Sequence, residues 1–297
     1  MSDGLARISK IPANWVNRQA RMPEPLPKFD APPVVETAMS VQFAPLAGLS
    51  TPLIGWFWKS YLPPLSENDK WEKAVEAARL GDAYERFGDK EVWGQFGFRM
   101  SMVPLAKRVQ IIQSSNERMV QVQDSRFILN WRKQSGAYPS FATLSKEFWS
   151  LFPSLEKFAA DASLGPVEQN QWELSYINHI PKGELWRSTS EWGKVIPRLS
   201  LPSGLVVEPT AGPVTVDWRF NFSEERGRLH VNLQHARLAT APSSEDFMQL
   251  TLTARGPIDR EKGWDLKDSF ALGHEAIVRT FTTMTSGEAH KFWKRRI

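Results

Sequence analysis

Histidine and carboxylate pairs are the first residues to test for chemistry. His274-Glu275 starts like the zinc-protease helix H-E-x-x-H, but the fifth position is Val278. A metal held on one helix face needs its second imidazole one turn on, so the zinc reading fails. His274 falls on an apolar helical stripe, where a hydrogen-bonded core histidine is the commoner outcome. His230 and His235 are five apart in an alternating segment and therefore face opposite ways, which keeps them from sharing an ion. Asp259 and Asp265-Leu266-Lys267 resemble a nuclease carboxylate–lysine cluster in residue type alone. They also read as a solvated helix start, because metal catalysis needs ligands converging from separate strands. No phosphate-binding glycine loop, dinucleotide fingerprint or nucleophile elbow occurs, which argues against common NTPase, dehydrogenase and α/β-hydrolase chemistry. The sequence thus implies no catalytic residue, metal or cofactor and leans away from an enzyme.

Composition narrows the class. The chain has 297 residues, with 37 Lys and Arg against 33 Asp and Glu, a net charge of +4 spread along its length. There are 13 Trp and 17 Phe for a large core, and no Cys, which excludes disulfides and thiolate chemistry. The first residues lack the apolar run of a secretory signal, and no stretch of about 18 apolar residues could span a membrane. A cytoplasmic protein with no membrane partner is the expectation.

The elements follow from periodicity. Residues 1–33, with six prolines, read as an arm. Residues 34–181 read as an α+β half in β-α-β-β-β-α-β order: a mixed or antiparallel sheet with two packing helices, which could be a relative of the ferredoxin-like arrangement. Val35, Thr37, Met39, Val41 and Phe43 alternate with Glu36, Ser40 and Gln42, a strand with one buried side. A helix follows Ser50-Thr51-Pro52, and Trp71–Ala78 also has helical character. Strands are expected over 108–113, 119–123 and 126–131, with Asp124-Ser125 turning the last two into a hairpin, because the apolar parity flips there. Ser140 opens a long amphipathic helix that Pro153 should kink or split. A strand over 171–180 closes the half. Residues 182–212 are the connection. Residues 213–297 read as an antiparallel meander covered by C-terminal helices, the last opened by a capping box at Thr285–Glu288. The tail His290–Arg296 combines two aromatics with cations. It is either a contact for nucleic acid or an acidic partner, or a helix end packed inward.

Several stretches occur together in order: Pro32-Pro33-Val34-Val35-Glu36 into Ser40–Phe43; Val120-Gln121-Val122-Gln123 through Arg126-Phe127 to Asn130-Trp131-Arg132 and Tyr138-Pro139; Tyr176–Ile180; and Gly273–Arg279 with Phe281-Thr282 and the His290–Trp293 helix. This set, over residues 32–295, resembles a sporadically distributed family of uncharacterised bacterial proteins of similar length. The resemblance implies a stand-alone bacterial protein but no reaction, and its scattered distribution associates it with antiviral-defence or toxin–antitoxin contexts. Glu36, Gln42, Arg126, Asn130, Arg132, Tyr176 and Asn178 lie on or beside expected strands of the first half. They could form one polar patch for a carboxylate or phosphate, or an internal network of satisfied groups. Asp217, Arg219, Asn232 and Arg255 mark a second polar sheet face. The leading expectation is a non-catalytic module that binds another protein. The alternative is an enzyme or sensor that recognises a nucleotide or nucleic acid through Arg126, Arg132, Arg219 and Arg255.

Overall fold

A β-strand turns alternate side chains to opposite faces, so a chain rich in period-two segments can build one broad sheet with a dry side and a polar side. The computed structural model describes residues 25–82, 84–85, 107–134, 136–200, 214–237 and 245–296. The strands are β1 (Lys28–Phe29), β2 (Val34–Phe43), β3 (Trp71–Ala77), β4 (Arg108–Gln113), β5 (Arg118–Gln123), β6 (Arg126–Arg132), β7 (Gln169–Pro181), β8 (Thr215–Asn221), β9 (Arg228–Arg237), β10 (Asp246–Pro257) and β11 (Arg295–Arg296). The helices are α1 (Thr51–Ser60), α2 (Phe141–Asp161), α3 (Leu266–Met284) and α4 (Gly287–Phe292). Nine strands form a single antiparallel sheet in the order β3-β4-β5-β6-β2-β7-β10-β9-β8, while β1 pairs with β11. The protein is therefore α+β, and the two expected halves share one sheet through β7, which pairs with both β2 and β10. Residues 1–24 of the expected arm, 201–212 of the connection and residue 213 of the expected meander lie outside the described residues.

The topology repeats a plan that the sequence hides. β2 is followed by a connection, a meander whose last strand, β6, returns beside it, and then α2. β7 is followed by a connection, a meander whose last strand, β10, returns beside it, and then α3. The antiparallel β2–β7 pair sits where the two units meet.

α2 and α3 pack against one face of the sheet. Phe127 of β6 meets Phe148 and Phe152 of α2 edge-on, with ring centroids 5.9 and 5.6 Å apart. Phe270 of α3 packs against both Phe148 and Trp172 of β7. Burying each such aromatic contributes on the order of 2 kcal/mol, which is why this face is the core. Pro153 does not split α2. Its ring is exposed, and Phe148, Leu151, Phe152, Leu155 and Phe158 anchor the helix on both sides of it.

Two local expectations are corrected. Trp71–Ala77 is a strand, not a helix: its Glu, Lys and Ala favour a helix in isolation, but pairing with β4 supplies its hydrogen bonds at the sheet edge. The last helix is capped one residue later than the capping box implied. Ser286 Oγ accepts from Ala289 N, whereas Thr285 donates its hydroxyl to the Phe281 carbonyl.

Candidate functional site

The sheet face opposite the helices collects the polar alternates. Register places Gln42 beside Arg126, Glu36 beside Arg132, and Gln42 beside Gln171. On this face Arg126 Nη2 donates to Gln42 Oε1 (2.6 Å), and Asn130 Nδ2 donates to Glu36 Oε1 (2.6 Å). Gln121 Nε2 donates to Asn130 Oδ1 (2.7 Å) and its carbonyl accepts from Arg108 (2.7 Å). Arg132 Nη2 reaches the Asn116 carbonyl. Gln42, Gln121, Gln123, Arg126 and Asn130 are all buried. Burial of polar groups is tolerated when they are partnered, and most of these partner one another across β4, β5, β6 and β2, while the Nε atoms of Arg108, Arg126 and Arg132 are buried with no hydrogen-bond partner among the described residues. Burial raises the Glu36 carboxyl above its ordinary range, against the opposing pull of the Asn130 amide and the Arg132 charge.

Arg79, Leu80, Gly81 and Glu85 contact several of these strands in turn. Arg79 binds Asp124 and Ser125 at the β5–β6 turn. Leu80 exchanges two hydrogen bonds with the Gln123 side chain, and the Gly81 carbonyl accepts from Arg126. Farther across, Glu85 N donates to Gln171 of β7. The Glu85 carboxylate, 3% exposed, meets Arg255 of β10 and both His230 (2.6 Å) and Arg228 (3.4 Å) of β9. Burial alone would raise its pKa, but hydrogen bonds from His230 and Arg255 and their charge prevail and hold it at about 2. Glu85, Gln121, Gln123, Gln171, Arg228 and His230 are members of this network that were not among the expected site residues. The glutamines could have been found by parity, since they alternate with apolar neighbours. Glu85 carried no sequence signal.

The expected patch is thus divided. Glu36, Gln42, Arg126, Asn130 and Arg132 share the helix-free face with Asp217, Arg219, Asn232 and Arg255, as the registers of β8, β9 and β10 show. Tyr176 and Asn178 do not join them. They alternate with Glu173, Ser175 and Ile177 and so point to the helix side. There Asn178 donates to the Leu250 carbonyl (3.0 Å), and Tyr176 Oη lies 2.9 Å from both Tyr138 Oη and His274 Nδ1. His274 also stacks on Phe141 at 4.1 Å. Burial, only partly offset by Glu275, lowers the His274 pKa to about 4 and keeps the ring neutral. His230 and His235 face opposite sides as expected: His230 meets Glu85, whereas His235 lies edge-on to Trp186 and Trp192.

On β7, β10, β9 and β8 the helix-free face is more open. Ser175, Ile177, Gln249, Thr251, Thr253, Asn232 and Gln234 are half-exposed, and Asp217 and Arg219 are exposed. Asn232 Nδ2 donates to Asp217 Oδ1 (2.8 Å), while Arg255 turns toward Glu85 and Glu173. At the end of this face is a cleft of about 330 Å³ lined by Pro33, Lys133, His179, Phe247, Phe292 and Trp293 among others. The His179 and Phe247 rings meet across β7 and β10 with centroids 4.1 Å apart and planes tilted by 35°, and burial lowers the His179 pKa. Phe292 is 46% exposed at the cleft, whereas its neighbour Trp293 is buried, so the tail is half packed inward. Arg296 is tied to Asp30 and β11 to β1.

The acidic residues near α3 serve structure. Asp265 Oδ1 caps α3 by accepting from Asp268 N, and Asp259 holds Lys262. Among the described residues, no three His, Asp or Glu side chains converge as metal ligands, and no helix is long and apolar enough to cross a membrane. No protein-family model matches the chain, and no curated protein matches it by sequence.

Proposed function

We propose that the protein is a non-catalytic module that binds another protein through the open part of its helix-free face and the adjoining cleft. The observation that carries this reading is Phe292, 46% exposed in the same cleft as the His179–Phe247 ring pair, at the end of a broad face of half-exposed Ser, Thr, Asn and Gln side chains. An exposed aromatic at an apolar cleft with charged residues at its rim, here Lys133, Glu245 and Asp246, suits an anchor side chain from a protein partner. The buried network over β4, β5, β6 and β2 has a different role in this reading. It ties internal polar side chains to one another and stiffens the platform. Work in defence or toxin neutralisation rests on the family resemblance alone.

Recognition of an anionic nucleotide through Arg126, Arg132, Arg219 and Arg255 has weaker support. These residues are spread over β6, β8 and β10. Arg126 is buried against Gln42, and Arg255 is paired with Glu85 and Glu173.

The test is affinity capture from native host lysate, read by mass spectrometry, with the wild-type chain and with Phe292→Ala and Thr251→Arg variants. The expected result is one reproducible partner that both variants lose while keeping the wild-type melting temperature. Repeated failure to capture a partner, or capture unaffected by both variants, overturns the reading.

A further inference from the structure

The two edges of the sheet are finished differently. β3 carries Glu72, Lys73 and Glu76 and a bulge at Trp71/Lys73, devices that discourage pairing with another strand. β8 pairs with β9 in unbroken register, and no strand lies on its other side among the described residues. It has no proline, lysine or bulge, and Thr215, Asp217, Arg219, Phe220 and Asn221 are exposed. Val214 O accepts from His235 N, and Phe222 N donates to Gly227 O. Even-numbered residues therefore turn their backbone groups toward β9. Residues 215, 217, 219 and 221 turn theirs outward.

The β8 sequence, Thr-Val-Asp-Trp-Arg-Phe-Asn, complements itself about Trp218. An antiparallel second copy centred there sets Asp217 opposite Arg219 and Arg219 opposite Asp217. It also sets Val216 opposite Phe220, Thr215 opposite Asn221, and Trp218 opposite its own counterpart. Opposite charges directly across an antiparallel pair attract, and apolar pairs on the other face add packing. The hydrogen-bond parity agrees, because the outward-turned residues are the ones that face each other at the 217/219 and 215/221 pairs. On the helix side, Phe220, 45% exposed, gains Val216 of the second copy as cover. Asp217 already accepts from Asn232 on one oxygen and keeps lone pairs for the guanidinium.

We propose that the chain pairs edge to edge with a second copy of itself through β8, giving a two-fold dimer with one continuous sheet across both chains. This inference is independent of the partner-binding reading, since it uses the far edge of the sheet and not the cleft.

Sedimentation velocity of the full chain at micromolar concentration tests it, with the expected species at twice the 33.8 kDa chain mass. Asp217→Arg sets like charges opposite each other in both symmetric pairs, and Arg219→Pro removes an outward N–H without touching the β8–β9 ladder. Each should weaken association at least about tenfold, while the double exchange Asp217→Arg/Arg219→Asp should restore it. The chain has no cysteine. Trp218→Cys would therefore place the only two thiols of the dimer at a non-hydrogen-bonded pair, where Cα atoms lie about 4.5 Å apart, close enough for a disulfide. The Val216→Cys thiols would sit roughly 13 Å apart along the strand and should not cross-link. A wild-type chain that stays monomeric at tens of micromolar overturns the proposal. So does a dimer indifferent to Asp217→Arg and Arg219→Pro, or equal cross-linking of the two cysteine variants.

Discussion

His230 Nε2 on β9 lies 2.6 Å from Oε1 of Glu85, a residue 145 positions earlier in the chain. With Arg255 and Arg228 on the same carboxylate, this contact fastens Glu85 to the distal half of the sheet. The Glu85 pKa falls from 4.5 to about 2 on folding. The unfolded chain therefore binds a proton that the folded chain refuses between those values. Stability from this site is complete above about pH 5 and is lost as pH falls toward 2, an integrated effect of about 3 kcal/mol. Glu85→Gln should remove that part of the pH dependence. At pH 7 it should cost about 3 kcal/mol, because two guanidiniums lose their buried counter-charge. Urea denaturation at several pH values measures both, and a variant as stable as wild type at pH 7 would refute the assignment.

Glu36 predicts the opposite sign on the same face. Its pKa is raised by burial, so the folded chain holds the proton more tightly than the unfolded one, and ionising this carboxyl on raising the pH costs stability. Glu36→Gln keeps the acceptor for the Asn130 amide and removes the buried charge. The variant should match or exceed the wild-type melting temperature at pH 8, with the advantage vanishing in acid. A calorimetric scan at both pH values separates this from a simple loss of contact, which would lower the melting temperature at each.

These two carboxylates mark where sequence reading succeeds and where it stops. Alternation made β2, β4, β5, β6, β7 and the β8–β10 meander legible, and the parity flip at Asp124-Ser125 identified the hairpin. Alternation reports which side of a strand is polar, but it cannot report whether something covers that side. Gln42, Arg126 and Asn130 are buried in a sheet face contacted by Arg79, Leu80, Gly81 and Glu85, a contact between distant parts of the chain that no local pattern encodes. β3 was hidden for a related reason. Its Glu-Lys-Ala-rich stretch favours a helix, and only pairing with the distant β4 makes it a strand. Tyr176 and Asn178 could have been separated from Glu36 and Gln42 by counting parity along β7 from Trp172. Grouping residues by polar type concealed that.

The Tyr138–Tyr176–His274 chain ties the start of α2 and the middle of α3 to β7 within the core. His274 titrates near 4 when folded, against 6.5 in the unfolded chain. The unfolded state takes up the proton first, so stability is full above about pH 6.5 and declines as pH falls toward 4, by about 3 kcal/mol in total. His274→Phe retains stacking on Phe141 and should abolish that decline. Tyr176→Phe leaves Nδ1 and the Tyr138 hydroxyl each short of a partner and should cost about 1–3 kcal/mol at pH 7. A resonance assigned to His274 and titrating near 6.5 in the folded wild type would contradict the buried, neutral assignment.

α3 comes close to the sheet at Gly273. A Cβ built there would lie 2.6 Å from the Trp172 ring and 3.2 Å from the Ala254 Cβ. Trp172 is fully buried between Phe270 and Phe222 and has no room to rotate away. The glycine is needed for space and not for backbone freedom, since it sits inside a regular helix. Gly273→Ala gains about 1 kcal/mol of helix propensity, yet it forces the helix outward and should destabilise the protein by about 1–3 kcal/mol net. The combination Gly273→Ala/Trp172→Phe shortens the ring that would be struck. It should therefore cost less than the sum of the two single substitutions, so a double-mutant cycle in urea tests the contact directly. Additive losses would mean that α3 and β7 do not meet at this point.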